Sequence, residues 1–136
     1  MIRVIYGPKG TGKTKTLVDA ANDMVKHAKG TVVFIDNSKQ LICSLDHKIR
    51  FVNISDFPPM DGDVFFGFIC GILSQNYDIE GIFIDRLNFI IKEKAGGLEA
   101  FFKKLEKLDS EASVSFFITM SGNAGEMPSF IKKYTE

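Results

Sequence analysis

Residues 7–14 read Gly-Pro-Lys-Gly-Thr-Gly-Lys-Thr, and these residue types at this spacing are suited to holding phosphate. Glycine has no side chain to keep the backbone away from an anion, so a glycine-rich loop can point several amide N–H groups at one phosphate. A lysine at the end of such a loop adds a positive charge, and the hydroxyl beside it adds an oxygen ligand for Mg²⁺. The segment therefore predicts a site for a phosphorylated ligand.

The segment matches the Walker A phosphate loop, which gives its residues expected roles. Lys13 is expected to bridge β- and γ-phosphate oxygens of a nucleoside triphosphate, and Thr14 is expected to bind Mg²⁺. Backbone amides at the start of the following helix would surround the β-phosphate. The residues expected to bind the nucleotide are Gly7, Pro8, Lys9, Gly10, Thr11, Gly12, Lys13, Thr14 and Lys15, with Thr11 and Thr16 as secondary contacts.

The sequence around this loop has the order strand, loop, helix. Ile2, Val4, Ile5 and Tyr6 form a short apolar run typical of a buried strand. About fifteen residues free of Gly and Pro follow the loop, as expected for a helix. This order favours a functional phosphate loop over a glycine-rich turn that only happens to precede a helix.

Beyond the loop, short apolar runs alternate with helix-like stretches, which predicts an α/β fold. The pattern is typical of three α/β/α layers around a mainly parallel sheet of about five strands. With 136 residues, the chain is expected to form a single domain over residues 1–136. Strands are expected near residues 2–6, 31–36, 49–54, 81–86 and 114–120, and helices near residues 13–28, 63–76, 97–109 and 127–134.

A second chemical signal lies at residues 81–85, Gly-Ile-Phe-Ile-Asp, an apolar strand that ends in a carboxylate as in the Walker B pattern. Parallel strands point their C-terminal ends to one edge of the sheet, so Asp85 should emerge beside the phosphate loop and hold Mg²⁺ through a water. The alternative is a turn or helix-capping role, which Asp often takes. Thr119, Ser121 or Asn123, at the polar end of the last strand, could contact the γ-phosphate or could be ordinary turn formers.

Composition argues against several other classes of protein. The 17 basic and 17 acidic residues cancel, so the overall charge would not attract polyanions and no nucleic-acid partner is indicated. Cys43 and Cys70 lack the spacing and neighbouring His of a metal site, and buried thiols are the better interpretation. No signal peptide is recognised and no apolar run has the length of a spanning helix, so a cytoplasmic protein without membrane insertion is expected.

Together these motifs resemble the ATPase core of the RecA-like group, within the additional-strand division of P-loop NTPases. The resemblance implies a central parallel sheet that binds ATP at the edge formed by the C-terminal ends of its strands. It also implies that Lys13 and Thr14 contact the phosphates and Mg²⁺, with Asp85 reaching the ion through water. The resemblance covers about residues 1–123 and rests on four segments in order, residues 7–14, 31–36, 51–55 and 81–85.

One feature of that family is missing from the chain. Family members hydrolyse ATP with a glutamate that polarises water, placed either directly after the Walker B aspartate or just past the second strand. Here the first position holds Arg86, and the second holds Asp36, Asn37 and Ser38. A carboxylate at a strand end can orient water, so Asp36 is the candidate substitute, as a catalytic residue beside Lys13 and Asp85. Arg86 itself could be an inter-subunit finger or a salt-bridge partner within the chain.

The function predicted from these residues is a weak Mg²⁺-dependent ATPase, a hydrolase that acts with partner subunits. The alternative is a nucleotide-gated interaction switch with little hydrolysis, which the missing glutamate favours. A small-molecule kinase is less favoured because three Arg in the chain leave little for a lid, and a GTPase is disfavoured because no Asn-Lys-x-Asp segment is present.

The predicted helix over residues 63–76 bears on possible partners. It carries apolar residues on nearly every side, which is more than one face of a sheet requires. Such a helix is either fully buried or partly exposed at a surface for a protein partner or for self-association. The sequence leaves both alternatives open.

Overall fold

The computed structural model describes residues 1–92 and 95–135, so residues 93, 94 and 136 of the predicted domain lie outside the described part. Its strands are β1 Ile2–Gly7, β2 Thr31–Asp36, β3 Arg50–Asn53, β4 Ile79–Ile84 and β5 Ser115–Ser121. Its α-helices are α1 Lys13–His27, α2 Gly62–Gln75, α3 Leu87–Ile90 and α4 Ala95–Ala112. Short 3₁₀ turns cover Ile42–Ser44, Ile54–Asp56, Ala124–Glu126 and Ser129–Tyr134.

The five strands form one parallel sheet in the order β1-β5-β4-β2-β3. The α/β class and the mainly parallel sheet are confirmed. Because every pair is parallel, the C-terminal ends of the strands share one edge of the sheet. The phosphate loop leaves β1 at this edge, Asp85 follows β4, and Asp36 ends β2.

The sheet is covered on both faces, which confirms the three layers. On one face, Leu17 and Ala21 of α1 are buried with Phe34 and Phe83 of the sheet. On the other, α2 and α4 cover the alternate strand positions, with Phe65, Ile69, Phe101, Phe102, Leu105, Ile82 and Ile84 all buried. Successive side chains of β4 therefore point to opposite faces of the sheet and pack in both cores. Packing on both faces holds the strand that precedes Asp85 in place.

Two of the differences between the predicted and the observed elements have clear local reasons. The predicted strand over residues 81–86 runs from Ile79 to Ile84, since Arg86 takes a left-handed backbone conformation (φ 56°) that ends the extended run. The predicted helix over residues 127–134 is a 3₁₀ turn, Ser129–Tyr134, that begins directly after Pro128. Helix α3 has four residues, too few for a helical period to show in the sequence.

Helix α2 is partly exposed rather than fully buried. Phe65 and Ile69 are inaccessible to solvent, whereas Val64 is 53% exposed. Gly67 and Gly71 are exposed as well, so the outer face of the helix carries little side-chain bulk at these positions. Within the described residues, no helix combines the length and the apolarity that crossing a membrane would require.

Candidate functional site

The phosphate loop joins β1 to α1 and turns through two left-handed glycines. Gly10 has φ 79°, and Gly12, directly before α1, has φ 80°. No described atom lies within 4 Å of the point where a Cβ would stand at either glycine. The backbone conformation, rather than a lack of space, therefore requires glycine here, because an L residue in this region costs about 1–2 kcal/mol.

A pair of alanine substitutions tests this requirement. Gly12→Ala is expected to lower the free energy of unfolding by about 1–2 kcal/mol, or to distort the loop. Gly67→Ala is the matched control, because Gly67 also has open space around its Cβ position but lies within α2. It should raise the free energy of unfolding by about 0.5–1 kcal/mol, since Ala favours a helix interior. Urea denaturation of both variants measures the difference, and equal changes would contradict this explanation.

Lys13 folds back into the loop. Its Nζ donates to the Pro8 carbonyl at 2.7 Å, and the Thr11 hydroxyl donates to the same carbonyl at 2.8 Å. The Lys13 residue is only 9% exposed. An ammonium group has three N–H donors, and a neutral carbonyl compensates the charge only in part. Lys13 therefore retains capacity to bind an anion inside the loop.

The two residues predicted to bind Mg²⁺ are in direct contact. The Thr14 hydroxyl donates to the Asp85 carboxylate, with Oγ1 at 3.0 Å from Oδ2 and 3.2 Å from Oδ1. Thr119 of β5 donates to Asp85 Oδ1 at 2.6 Å and accepts from the Arg86 amide at 2.7 Å. The loop, β4 and β5 are thus joined through one buried carboxylate.

The surroundings of Asp85 make its ionised form unfavourable. Burial raises the pKa of Asp85 above its usual range, and the nearby Asp36 carboxylate adds to this. Hydrogen bonds from Thr119 and Thr14 and the positive charge of Arg86 act in the opposite direction. A cation placed beside the carboxylate would offset this cost, because it favours the ionised form.

The donor set fits Mg²⁺ only together with a phosphate ligand. A hydroxyl oxygen and a carboxylate are the hard ligands that Mg²⁺ prefers, but this ion usually completes its six positions with waters and phosphate oxygens. Throughout residues 1–92 and 95–135, no group of three or more His, Cys, Asp or Glu is arranged to hold a metal. Thr14 and Asp85 are therefore expected to bind Mg²⁺ when a phosphorylated ligand supplies the remaining oxygens.

Asp36, the candidate for orienting water, is engaged elsewhere. It is fully buried, and its Oδ1 accepts from Arg86 Nη2 at 2.9 Å and from the Asn37 amide at 2.7 Å. The Ser38 hydroxyl lies 3.4 Å from its other oxygen. Arg86 is thus in an ion pair within the chain, as in the salt-bridge alternative. The catalytic role of Asp36 stays a prediction.

A cavity of about 360 Å³ lies over the phosphate loop. Of the described residues that line it, three are cationic and none is acidic. Its lining is formed by Lys9, Gly10, Gly12, Lys13, Thr14, Arg86, Phe89, Thr119 and Ser121. The polar, cationic lining suits a phosphorylated anion.

The remaining loop residues, Gly7, Pro8, Thr11 and Lys15, are not part of that lining. Lys15 instead pairs with Asp19 at 2.9 Å, and its side chain is 81% exposed. Its predicted contact with the nucleotide stays a prediction.

Two residues near the site, Phe89 and Asn88, were not predicted from the sequence, and a third, Arg86, was predicted only as an inter-subunit finger or a salt-bridge partner. Phe89 of α3 lies under two cations, 5.1 Å from Lys9 Nζ and 5.8 Å from Arg86 Cζ. Asn88 binds the end of β5 through two hydrogen bonds. Its side chain donates to the Ser121 carbonyl at 2.6 Å and accepts from the Ser121 amide at 3.0 Å. Arg86 lines the cavity itself. Their position directly after Asp85 was the one signal that could have drawn attention to them.

Comparison with known proteins adds no family assignment. No protein-family model matches the sequence, and no curated protein is significantly similar to it. The functional proposal therefore rests on the phosphate loop, the Thr14–Asp85 contact and the cavity.

Proposed function

We propose that this chain is an ATP-binding P-loop protein with a RecA-like core and a weak Mg²⁺-dependent ATPase activity. The observation that carries the proposal is the hydrogen bond from Thr14 to Asp85. These residues lie 71 positions apart in the sequence, yet the Walker A hydroxyl and the Walker B carboxylate are 3.0 Å apart. The two predicted motifs thus lie as close together as binding to one Mg²⁺ would require.

The order of the strands supports the additional-strand part of the resemblance. Strand β5 lies between β1, which leads into the phosphate loop, and β4, which leads to Asp85. An extra strand therefore separates the two motif-bearing strands. Thr119, which lies on this extra strand, donates a hydrogen bond to Asp85.

The residues of the loop would act on ATP in the following way. Backbone N–H groups at the start of α1 bind the β-phosphate, and Lys13 exchanges its contact with the Pro8 carbonyl for phosphate oxygens. When bound, Mg²⁺ neutralises charge on the β- and γ-phosphates. In hydrolysis, a water oxygen bonds to the γ-phosphorus and the bond to the β–γ bridging oxygen breaks. ADP leaves with the electron pair, and the water proton passes to phosphate or solvent.

A nucleotide-gated switch with little turnover is the second candidate. One observation favours it, since no described carboxylate lines the cavity and Asp36 is paired with Arg86. Without a carboxylate at the reacting phosphate, an attacking water would be poorly oriented. This is also why we propose weak rather than efficient hydrolysis.

We further propose that the outer face of α2 contacts a second copy of the chain or another protein, in the cytoplasm. Val64 is 53% exposed and Phe57, nearby in the chain, is 47% exposed. The Phe57 ring contacts Phe68 of α2, with centroids 5.3 Å apart, so the exposed apolar surface extends beyond the helix. Exposed apolar groups of this kind are common at protein interfaces.

Phosphate release from Mg-ATP distinguishes the two candidate functions. The purified protein is expected to release phosphate steadily, at a rate below about 1 s⁻¹, the low end of typical enzymatic turnover. The Lys13→Ala variant, purified in the same way, controls for contaminating ATPases. Nucleotide binding without release above that control would contradict the ATPase and support the switch.

A further inference from the structure

We propose that Arg86 is a ligand of the terminal phosphate, supplied by the same chain, and that it lets the site distinguish ATP from ADP. This inference rests on the proposed function, because it requires that the phosphate loop binds a nucleotide. It concerns a residue that stands where the resembled family places its glutamate. It also assigns Asp36 a role in positioning that residue.

The backbone of Arg86 is held in an unusual conformation at the edge of the cavity. Its φ of 56° and ψ of 58° lie in the left-handed region, which L residues other than Asn and Asp rarely adopt. The Thr119 hydroxyl fixes this conformation by accepting from the Arg86 amide at 2.7 Å. Backbone strain of this kind is often found at functional sites. Here it accompanies a side chain that lines the same cavity as Lys13 and Thr14.

The guanidinium group of Arg86 is only partly satisfied. Nη2 donates to Asp36 at 2.9 Å and lies 3.4 Å from the Ser38 hydroxyl. Nε lies 3.5 Å from Asp85 Oδ2, yet it is buried and has no hydrogen-bond acceptor among the described residues. Among the described residues, Nη1 has neither a hydrogen-bond nor an ion-pair partner, so a further oxygen ligand would be favourable at the exposed part of the group. The several oxygens of a phosphate suit the planar guanidinium.

The position of Arg86 selects the terminal phosphate. Loop amides are expected to bind the β-phosphate, which ATP and ADP share, and Lys13 is expected to bridge the β- and γ-phosphates. Arg86 directly follows Asp85, so it lies on the side of the cavity where Mg²⁺ would join the β- and γ-phosphates. Phe89 supports the side chain, with its ring centroid 5.8 Å from Arg86 Cζ. A contact from this side reaches the phosphate that ADP lacks.

Asp36 acts on this contact as a positioning residue. It is fully buried and holds one end of the guanidinium through Nη2. The Arg86 side chain nevertheless remains 32% exposed, so the pair leaves part of the group open toward the cavity. The ion pair therefore orients the guanidinium before any ligand arrives.

The test compares Mg-ATP and Mg-ADP affinities by isothermal titration calorimetry. Removing Arg86 alone would leave Asp36 buried and unpaired, so the main variant combines Arg86→Gln with Asp36→Asn and removes both charges. We expect ATP affinity to fall about 10- to 100-fold, the value of one charge-assisted hydrogen bond, and ADP affinity to stay unchanged. Arg3→Gln is the control, because Arg3 is exposed on β1 and outside the cavity lining; it should change neither affinity.

Each outcome decides a separate point. A double variant with the wild-type ratio of ATP to ADP affinity would overturn the role of Arg86, while its Mg-ATP binding would uphold the proposed function. Wild-type protein that binds neither nucleotide would overturn both. If the double variant does not fold by circular dichroism, Arg86→Lys keeps the charge beside Asp36 but loses the planar donors, and a several-fold loss confined to ATP is expected.

A single Asp36→Asn variant separates positioning from catalysis. If Asp36 positions Arg86, the ratio of ATP to ADP affinity falls in this variant, although Arg86 is intact. Loss of phosphate release with an unchanged affinity ratio would instead show that Asp36 acts on water, and it would contradict the positioning role.

Discussion

Lys13→Ala is expected to weaken Mg-ATP binding by about 100-fold or more. The Lys13 ammonium lies inside the phosphate loop, where its Nζ donates to the Pro8 carbonyl at 2.7 Å. On nucleotide binding it would exchange this neutral partner for phosphate oxygens in a site that is largely shielded from water. Two charge-assisted hydrogen bonds of about 1.5–3 kcal/mol each correspond to a loss of this size. Isothermal titration calorimetry measures the change directly.

The variant should remain folded, which makes the loss interpretable. The Pro8 carbonyl keeps its hydrogen bond from Thr11 at 2.8 Å when Lys13 is truncated. The free energy of unfolding without nucleotide should therefore change by less than about 1 kcal/mol. Lys26→Ala is the matched control, since Lys26 lies in the same helix but is exposed near its end. Equal ATP affinities in the two variants would remove the phosphate-loop assignment.

Asp85→Asn is expected to weaken the effect of Mg²⁺ on ATP binding and to stabilise the nucleotide-free protein. It should reduce the tightening of ATP binding by Mg²⁺ about 10- to 100-fold, the usual loss when an outer partner of a metal is removed. It should also make the nucleotide-free protein more stable at neutral pH, because burial raises the pKa of Asp85 and its ionised form is unfavourable. Titrations with and without Mg²⁺, together with urea denaturation, measure both effects.

The gain in stability should depend on pH in a defined direction. A carboxyl whose pKa is raised by folding contributes stability while it is protonated and loses that contribution as the pH rises through the raised pKa. Wild type and Asp85→Asn should therefore be similarly stable below the ordinary value of 3.8, diverge as the pH rises from there, and differ by a constant amount once the pH is above the raised pKa. Asp23→Asn, at an exposed position of α1, is the control for a change of charge. If Mg²⁺ tightens ATP binding equally in wild type and in Asp85→Asn, the role of Asp85 is structural capping and not binding of the ion.

Buried apolar runs made most of the sheet predictable, and the exceptions have local causes. The start of β4 was expected at Gly81, because polar residues or glycine were taken as the boundaries of each apolar run. In the structure the strand already begins at Ile79. Gly81 lies within it, paired with β2 and β5, and a Cβ there would stand 2.5 Å from Met24 Sδ of α1. This close approach of helix and strand depends on tertiary packing, so the sequence alone could not reveal it.

The positions of the candidate site residues could be predicted where a motif fixes their spacing. The hydrogen-bond and ion-pair partners of their side chains could not. Thr14 and Asp85 were placed at one edge of the sheet, and the structure brings them into contact. The pairing of Arg86 with Asp36 depends on β4 lying beside β2 and on the left-handed backbone of Arg86. Neither feature has a pattern in the sequence. Asp36 was therefore predicted to orient water, although its pairing with Arg86 could not be predicted from the sequence.

The end of β5 shows the same limit. Thr119, Ser121 and Asn123 were equivalent candidates in the sequence, but each has a different neighbour in the structure. Thr119 donates to Asp85, Ser121 is held through its backbone by Asn88, and the Asn123 side chain donates to Glu126. Both Thr119 and Ser121 also line the cavity. The sequence could place this group at the edge but could not rank its members.

The most direct test of the central claim is the titration of the wild-type protein with ATP, in the presence and absence of Mg²⁺. We predict one bound ATP per chain, tighter binding when Mg²⁺ is present, and loss of that binding in Lys13→Ala. A wild-type protein that shows no binding of ATP under either condition would contradict it, because the loop and the Thr14–Asp85 contact would then serve the fold alone.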